Sequence, residues 1–539
     1  MTYLDWVVLG IYIIGIISLS WIIGLRQKTQ DDYYLGGRKM SSLPIAFSIM
    51  ATQVSAISLI GAPAFIALRS GGGLIWLQYE FAIPLAMMFI MLTLVPIYHQ
   101  TKKTSIYEYL DQRFGPTTRT TISLIFLLSR GLGTGVALVA TSIVTAVCLN
   151  WPLAPTILFI GMVAIIYTTF GGIVADIYSD IIQLVILWGG TVLAIILVIS
   201  RLGQKLSTSS FFNLLAANQQ RLHVFDFNST GLGDGQTFSF WPMLIGGFFL
   251  YLSYYGCDQS QAQRLLTTST AKEAQKSLLL NGLLRFPLVL TYCALGVLLI
   301  PFLQTHPHFA QQLAGSPADY LVPRFLINFI PPGILGLIVA GIFAASMSSI
   351  DSALNSLSAI TYQDVLARIF PALGHFSDRQ KVRLSRWITI AWGLIATSFA
   401  LLMIGGSKTV LEMVNQIGSA FYGPVLAVFW LGILTKRADQ NGAIVGLIGG
   451  VATNLCLWLF YETQVSWMWW NFIGFALAFI AGISLSRSSP QRRKKVENLT
   501  LSREKLSYYL KNKSYNFILL SAFIIFFFLG KIIELIFLG

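Results

Sequence analysis

Charge is what this sequence has least of. Asp, Glu, Lys and Arg make up 11% of its 539 residues while 55% are hydrophobic, and the mean hydropathy is +0.70. A soluble domain carries about 25% charged residues, so that class is excluded. Cysteine is scarce too: Cys148, Cys257, Cys293 and Cys456 fall in or beside apolar segments with no ligand-like spacing, which excludes a disulfide framework and a zinc site. The apolar segments also lack a His/Asp pair, a Gly-x-Ser-x-Gly turn and any metal-ligand motif, so an enzyme is not expected. Long polar stretches are missing as well. The two longest, about 202–238 and 487–514, are too short to bury a core, so the chain reads as a single polytopic membrane domain over 1–539.

What is present is a series of apolar runs of about 20 residues, the length that crosses a bilayer. They place helices at 5–25, 43–68, 74–98, 118–149, 153–171, 177–200, 239–256, 277–303, 333–363, 386–406, 411–434, 441–461, 467–486 and 515–536, about 14 in all. The first run has no basic leader and no clean cleavage pattern, so it is expected to be a retained helix. A net charge of +14 would point to nucleic acid in a soluble protein. Here the basic residues crowd alternate loops: Arg26, Lys28, Arg38 and Lys39, then Lys102, Lys103, Arg113 and Arg119, then Arg264, Lys272 and Lys276, then Arg368 to Arg386, then Lys436 and Arg437. That bias orients membrane helices, so the partner is a lipid bilayer and not nucleic acid. It predicts a multi-pass protein of the plasma (inner) membrane with both termini outside the cytoplasm. The cluster Arg492, Arg493, Lys494 and Lys495 rests on anionic lipid or is a solvated linker; both readings stand.

Three of the apolar runs carry more polar groups than a bilayer tolerates. The stretch "FSIMATQVSAISLIGAPAF" holds Ser48, Thr52, Gln53, Ser55 and Ser58, and the Gln53 amide is too large to hide against its own helix. With Gly61 and Pro63 close by, a helix unwound in mid-membrane is expected, and unwinding frees carbonyl oxygens that suit a hard cation. The stretch "GIFAASMSSIDSALNS" gathers Ala345, Ser348, Ser349, Asp351 and Ser352 within about half the circumference of one helix. Small-residue packing explains the alanines and serines but not Asp351, a carboxylate at membrane depth that marks an ion or proton site. In "ADIYSDIIQ", Asp176 is expected at the cytoplasmic mouth, with Asp180 one turn deeper as the better cation ligand. Hydroxyls and carboxylates without thiolate or imidazole suit sodium or a proton.

These segments, with "DDYYLGGRKM", "GGIVADIYSDIIQ", "DQSQAQRLLTTSTAKEAQKS", "SSIDSALNS" and "GPVLAVFWLGILTKR", occur in the order found in the sodium/solute symporter family. The chain resembles that family, which includes sodium-coupled glucose, proline, iodide, monocarboxylate, vitamin and sialic acid transporters, over roughly residues 5–486. The resemblance implies an all-α membrane protein of the leucine-transporter type: a core of five plus five helices in inverted repeats, 43–200 and 239–434, with broken helices. Segments 1–42 and 441–539 flank it with further helices and a basic cytoplasmic linker. The broken first helices of the repeats would be the Phe47–Phe65 stretch and "MLIGGFFLYLSYYGC".

By the same resemblance, a shared sodium site takes backbone oxygens of Ala51, Val54 and Ala345 and the hydroxyls of Ser348 and Ser349. Relatives that bind a second sodium use the aspartate matching Asp180 with hydroxyls matching Ser348, Ser352 and the position of Asp351. The carboxylate at Asp351 departs from the serine of those relatives, so this chain holds one or two Na+ ions or adds a proton. A solute pocket is expected from Gln53, Ser55, Ser58, Gln78, Glu80, Arg130, Tyr251, Tyr254, Arg285 and Gln416. In it, Arg130 either holds an anion or neutralises a buried acid such as Glu80. The expected activity is sodium-coupled symport of a small polar organic solute, a sugar or an organic acid, by alternating access in a monomer. The alternatives are a proton-coupled carrier using Asp180 and Asp351, or a transporter-like channel or sensor.

Overall fold

The computed structural model describes residues 1–54, 56–101, 103–404, 410–487, 489–501 and 513–538, with side chains left out at 56, 57, 344–346, 348, 410–412, 492, 493, 495, 513 and 538. Ser55 therefore lies outside the described residues, as do the side chains of Ala345 and Ser348. Among the described residues there is no β-strand, only two isolated bridges, Met40 with Thr268 and Leu232 with Val465.

The main helices are α1 (Tyr3–Gly24), α2 (Ser42–Gln53), α3 (Ala56–Ala67), α4 (Ala82–Thr101), α5 (Pro116–Leu149), α6 (Leu153–Gly203), α7 (Gly247–Cys257) and α8 (Gln259–Leu266). They continue with α9 (Ala271–Thr305), α10 (Ile334–Ile360), α11 (Asp378–Leu402), α12 (Val410–Leu434), α13 (Gln440–Tyr461), α14 (Trp467–Ser484) and α15 (Lys513–Leu538). Among the described residues ten helices are long and apolar enough to cross a membrane, eleven if the bent pair α2/α3 is one span. This is fewer than the run of apolar segments led us to expect, and the breaks explain much of the difference.

The first break separates α2 from α3, which are bent by 52°. Val54 leaves helical geometry at φ −82, ψ 75. Pro63 inside α3 removes a further backbone donor, as proline must. The second break is at Asp258, extended at φ −84, ψ 124, between α7 and α8. Its side chain accepts the Ser260 N–H at 2.8 Å and caps α8. The third lies in α6, whose 51 residues would run to about 75 Å if straight, over twice the hydrocarbon thickness. Gly172 turns the chain there at φ 57, ψ −167. A Cβ at that position would stand 2.7 Å from the Tyr33 carbonyl oxygen, so only glycine fits.

Helix α10 lies at the centre, packed on α6, α5 and α1, while α9 packs on α2, α3, α4 and α6. Helices α12, α13 and α14 form a side bundle, and α15 lies against α4 and α9. The two helix breaks at Val54 and Asp258 therefore fall inside the packed body, beside α5 and α10.

Candidate solute and cation site

A cavity of about 130 Å³ opens between these two breaks. Thr52, Gln53 and Ser58 line it from the α2/α3 side, and Tyr254 and Asp258 from the α7/α8 side. Arg130, Ser129 and Thr134 on α5, Ser349 on α10 and Asn415 and Tyr422 on α12 complete its polar wall. The volume is well below the roughly 300–1,000 Å³ of pockets for drug-sized ligands, so it suits a small solute.

Arg130 is the cation of this wall. Its Nη1 lies 3.9 Å from Asp258 Oδ2, and its Nε is buried without a hydrogen-bond partner. Asp258 is held from behind, since its Oδ1 accepts Ser260 N–H at 2.8 Å and the Ser260 hydroxyl at 2.5 Å. Tyr254 accepts a hydrogen bond from Gln261 Nε2 at 2.9 Å, and the Tyr255 hydroxyl donates to Gln53 Oε1. The guanidinium thus faces the Tyr254 hydroxyl and one carboxylate at 3.9 Å, and no carboxylate bonds it in a bidentate fork.

Other expected pocket residues lie elsewhere. Glu80 is paired with Arg285, Nε to Oε2 at 3.2 Å, and neither residue lines the cavity. Arg130 therefore does not neutralise Glu80. Gln78 is fully buried, and its Oε1 accepts the Asp226 N–H at 3.1 Å, pinning the long loop before α7. Gln416 donates to Glu462 Oε1 at 2.9 Å, away from the solute space. Tyr251 is also outside the lining, its ring 4.5 Å from that of Tyr79.

Below the cavity, α10 meets α2 and then, one helical turn further along, α6. In the upper contact the Ser349 hydroxyl donates to the Thr52 carbonyl at 3.0 Å, so α10 touches the edge of the broken helix that contains Ala51 and Val54. In the lower one, Asp176, Asp180 and Asp351 bring carboxylate oxygens within 4.8 Å of one another. Arg264 sits between them with Nη2 at 2.8 Å from Asp176 Oδ2 and 3.0 Å from Asp180 Oδ2. Its Nε donates to the Ser48 hydroxyl at 2.6 Å and its Nη1 to the Ser260 carbonyl at 2.7 Å. Ser48 donates in turn to Asp180 Oδ2, and Ser352 donates to Asp176 at 3.2 Å. Asp351 Oδ1 accepts the Ser352 N–H at 2.7 Å, whereas its Oδ2 is buried with no hydrogen-bond partner.

Two sequence expectations are corrected by this cluster. Asp176 is not at a water-filled mouth, being only 2% exposed beside Asp180. Arg264 is not a loop charge: its exposure is 0%, and it is the counter-ion of the aspartates. Three buried carboxylates against one guanidinium leave an excess of two negative charges if all ionise, which a buried site does not sustain. The oxygen-only donor set and the orphan Asp351 Oδ2 fit a further hard cation or a proton.

Residues 33–450 match the profile of the sodium:solute symporter family. The chain is 30% identical to the sodium/sialic acid symporter of Proteus mirabilis over 484 residues, covering 89% of this chain and 94% of that one. It is 29% identical to sodium-coupled monocarboxylate transporter 2 of Mus musculus, covering 84% and 72%. A solved sodium-coupled sialic acid symporter in a substrate-bound outward-open state superposes with a TM-score of 0.78 at 26% identity, over 90% of this chain and 97% of that one. The all-helical body with its broken spans, the oxygen-lined contacts of α10 with α2 and α6 and these matches lead to one conclusion. The chain belongs to the sodium:solute symporter family, whose members are sodium-coupled secondary transporters of the membrane and not enzymes.

Proposed function

We propose that this symporter couples sodium entry to uptake of a small organic anion whose carboxylate pairs with Arg130. One observation carries the reading: a guanidinium at the cavity wall with an unpartnered Nε and a counter-ion no closer than 3.9 Å. A carboxylate entering the cavity would complete a bidentate pair, the geometry arginine favours. The relatives named for monocarboxylates and for sialic acid both carry carboxylates. A sugar reading is less well supported, since Glu80 and Arg285 satisfy one another outside the cavity. Gln53, Ser58 and Tyr254 would hold the rest of the solute.

In this reading one Na+ binds where α10 touches the broken helix, through Ala51, Val54, Ala345, Ser348 and Ser349. A second cation binds at Asp180, Asp351 and Ser352. The first ion lies between α2 and α10 and the second between α6 and α10, so they hold these helices together and shape the solute cavity one step away. The core is two inverted repeats of five helices within about 14 spans, and rocking of one helix bundle against the rest exposes the cavity to either side. A monomer in the plasma (inner) membrane with both termini outside suffices for this cycle.

The test is uptake of radiolabelled short monocarboxylates, sialic acid and glucose into proteoliposomes, in sodium against choline. Sodium-dependent accumulation of a carboxylate, blocked by other carboxylates and not by glucose, is the expected result. Accumulation of glucose without competition by carboxylates would overturn it, and uptake driven equally well by a pH gradient in choline would favour a proton-coupled carrier using Asp351.

A further inference from the structure

A second site, sharing no lining residue with the solute cavity, lies at the end of the molecule that the basic loops mark as cytoplasmic. A groove of about 510 Å³ runs between the last turn of α1 and the first turns of α11, over the Gly172 break in α6. Four cations line it: Lys28 from the segment after α1, and Arg379, Arg383 and Arg386 from α11. The three arginines are spaced at i, i+4 and i+7, which puts them on one face of the helix. Among the described residues none of the four side chains forms an ion pair with a carboxylate. The acids closest to them in sequence are otherwise placed: Asp31 is paired with Arg38 at 3.6 Å, Asp32 accepts the Lys28 and Thr29 backbone N–H groups, and Asp378 opens the first turn of α11. Arg386 is half-buried, its guanidinium 5.8 Å from the centre of the Phe170 ring, and its Nε is buried with no hydrogen-bond partner. The N-terminus of α11, capped by Ser377, adds its own positive end to the same space.

The walls of the groove continue into an apolar surface. Trp21 packs on Phe170 at 4.8 Å between ring centres, and Trp21, Ile22 and Leu25 are 51%, 54% and 70% exposed. On α11, Trp387 is 60% exposed beside Arg386. Exposed tryptophans beside lysine and arginine are the usual marks of a membrane–water boundary. A cationic pocket that opens directly onto a lipid-facing helix suits an amphiphile with a phosphate at one end and acyl chains at the other.

We propose that this groove binds the phosphate headgroup of an anionic phospholipid, with Arg383, Arg386 and Lys28 on the phosphate and the acyl chains laid along Trp21 and Leu25 of α1. The site ties α1 to α11 across the break at Gly172, so an occupied groove braces the join between the two halves of α6.

The experiment is native mass spectrometry of the full chain released from detergent, titrated with phosphatidylglycerol, with phosphatidylcholine, and with inorganic phosphate. The expected result is one tightly retained phosphatidylglycerol. Arg379→Gln with Arg383→Gln, both at exposed positions, should weaken its retention about thirtyfold, from the usual contribution of each basic side chain near an anionic headgroup. Lys272→Gln with Lys276→Gln, which removes the same charge from another exposed place, should retain it as the parent does. A melting scan of each variant confirms that it is folded; should the double change prevent folding, Arg383→Gln alone is read instead. Equal retention by parent and Arg379→Gln/Arg383→Gln, equal loss in the lysine control, equal retention of phosphatidylcholine, or ready displacement by inorganic phosphate would each overturn the proposal.

Discussion

Arg130 on α5 and Asp258 at the start of α8 face one another across the central cavity, Nη1 to Oδ2 at 3.9 Å, too far for a good hydrogen bond and close enough for the charges to interact. Asp258 is also the residue at which the second helix breaks. The contact therefore links the solute wall to a point where backbone direction changes, and a ligand that takes Arg130 away from Asp258 acts on that point.

The first prediction uses this pair. Arg130→Gln should raise the KM for a carboxylate solute by about thirtyfold or more, equivalent to the 2 kcal/mol or so lost when one partner of a buried charge pair is removed. Arg130→Lys should fall between, because it keeps the charge and loses the fork. Asp258→Asn keeps a good N-cap for α8 and removes the resident competitor, so KM should fall several-fold. Sodium-dependent uptake kinetics in proteoliposomes check all three, and an Arg130→Gln variant with parental KM would remove the anion reading.

Apolar length and the positions of in-membrane polar groups could be read from residues alone, because both follow from the cost of burying polar groups in hydrocarbon. The 43–68 run kept its polar residues and is bent next to Gln53, the residue that made an ordinary helix hard to accept. The second break was less legible. The family resemblance puts it within "MLIGGFFLYLSYYGC" without a position, and the chain leaves helical geometry one residue after Cys257, where Asp258 caps a new helix. An aspartate two residues before Ser260 is the signal that was there to find. Arg264 reads as a loop charge because it follows a polar stretch; only the fold brings it to Asp176 and Asp180, which lie more than 80 residues earlier. For Gln78 and Gln416, sequence shows a polar group at depth but not which neighbour it meets, and their partners, the Asp226 amide and Glu462, come from distant segments.

Ser349 gives the second prediction. Its hydroxyl is 3.0 Å from the Thr52 carbonyl, at the edge of the broken helix. Ser349→Ala removes one oxygen from the proposed cage without changing helix packing much, so the sodium concentration for half-maximal uptake should rise at least about tenfold, the loss of roughly 1.4 kcal/mol. Ser349→Thr should retain most activity. Unchanged sodium activation in Ser349→Ala would place the ion elsewhere.

Glu80 and Arg285 provide a contrasting case. They are 1% and 5% exposed, form an ion pair with one another and stand outside the cavity. Removing one member strands a buried charge, so Glu80→Gln should lower thermal stability by about 3–5 kcal/mol. Replacing both, as Glu80→Gln with Arg285→Met, should recover most of that loss and leave the solute KM as in the parent. A large rise in KM in the stable double variant would make the pair a solute contact after all.

Arg264 should be comparably sensitive. It is fully buried between two aspartates and also bonds Ser48, so Arg264→Gln leaves three carboxylates with no counter-ion. The expected outcome is poor expression and a loss on the order of 3–5 kcal/mol in unfolding free energy. Adding Asp176→Asn should restore part of the loss, because it removes one of the stranded charges. No rescue by Asp176→Asn would mean that Arg264 acts through its bonds to Ser48 and the Ser260 carbonyl instead of through charge.

The proposed cation site at Asp351 bears on the stoichiometry. With a tenfold sodium gradient worth about 1.4 kcal/mol per ion and about 100 mV worth roughly 2.3 kcal/mol per charge, one sodium moving with a monoanion is electroneutral and sustains only about tenfold accumulation. Two sodium ions with the same anion carry one net charge and sustain about 5 × 10³-fold. In the proposed cycle the second cation binds Asp351, whose Oδ2 is buried with no hydrogen-bond partner. The parent should therefore accumulate a monocarboxylate well beyond tenfold and give an inward current when solute is added. Asp351→Asn keeps the side-chain shape and removes the charge, so accumulation should drop to about tenfold and the solute-evoked current should vanish while sodium-dependent binding persists. A current of parental size in Asp351→Asn would show that the extra charge crosses without this carboxylate.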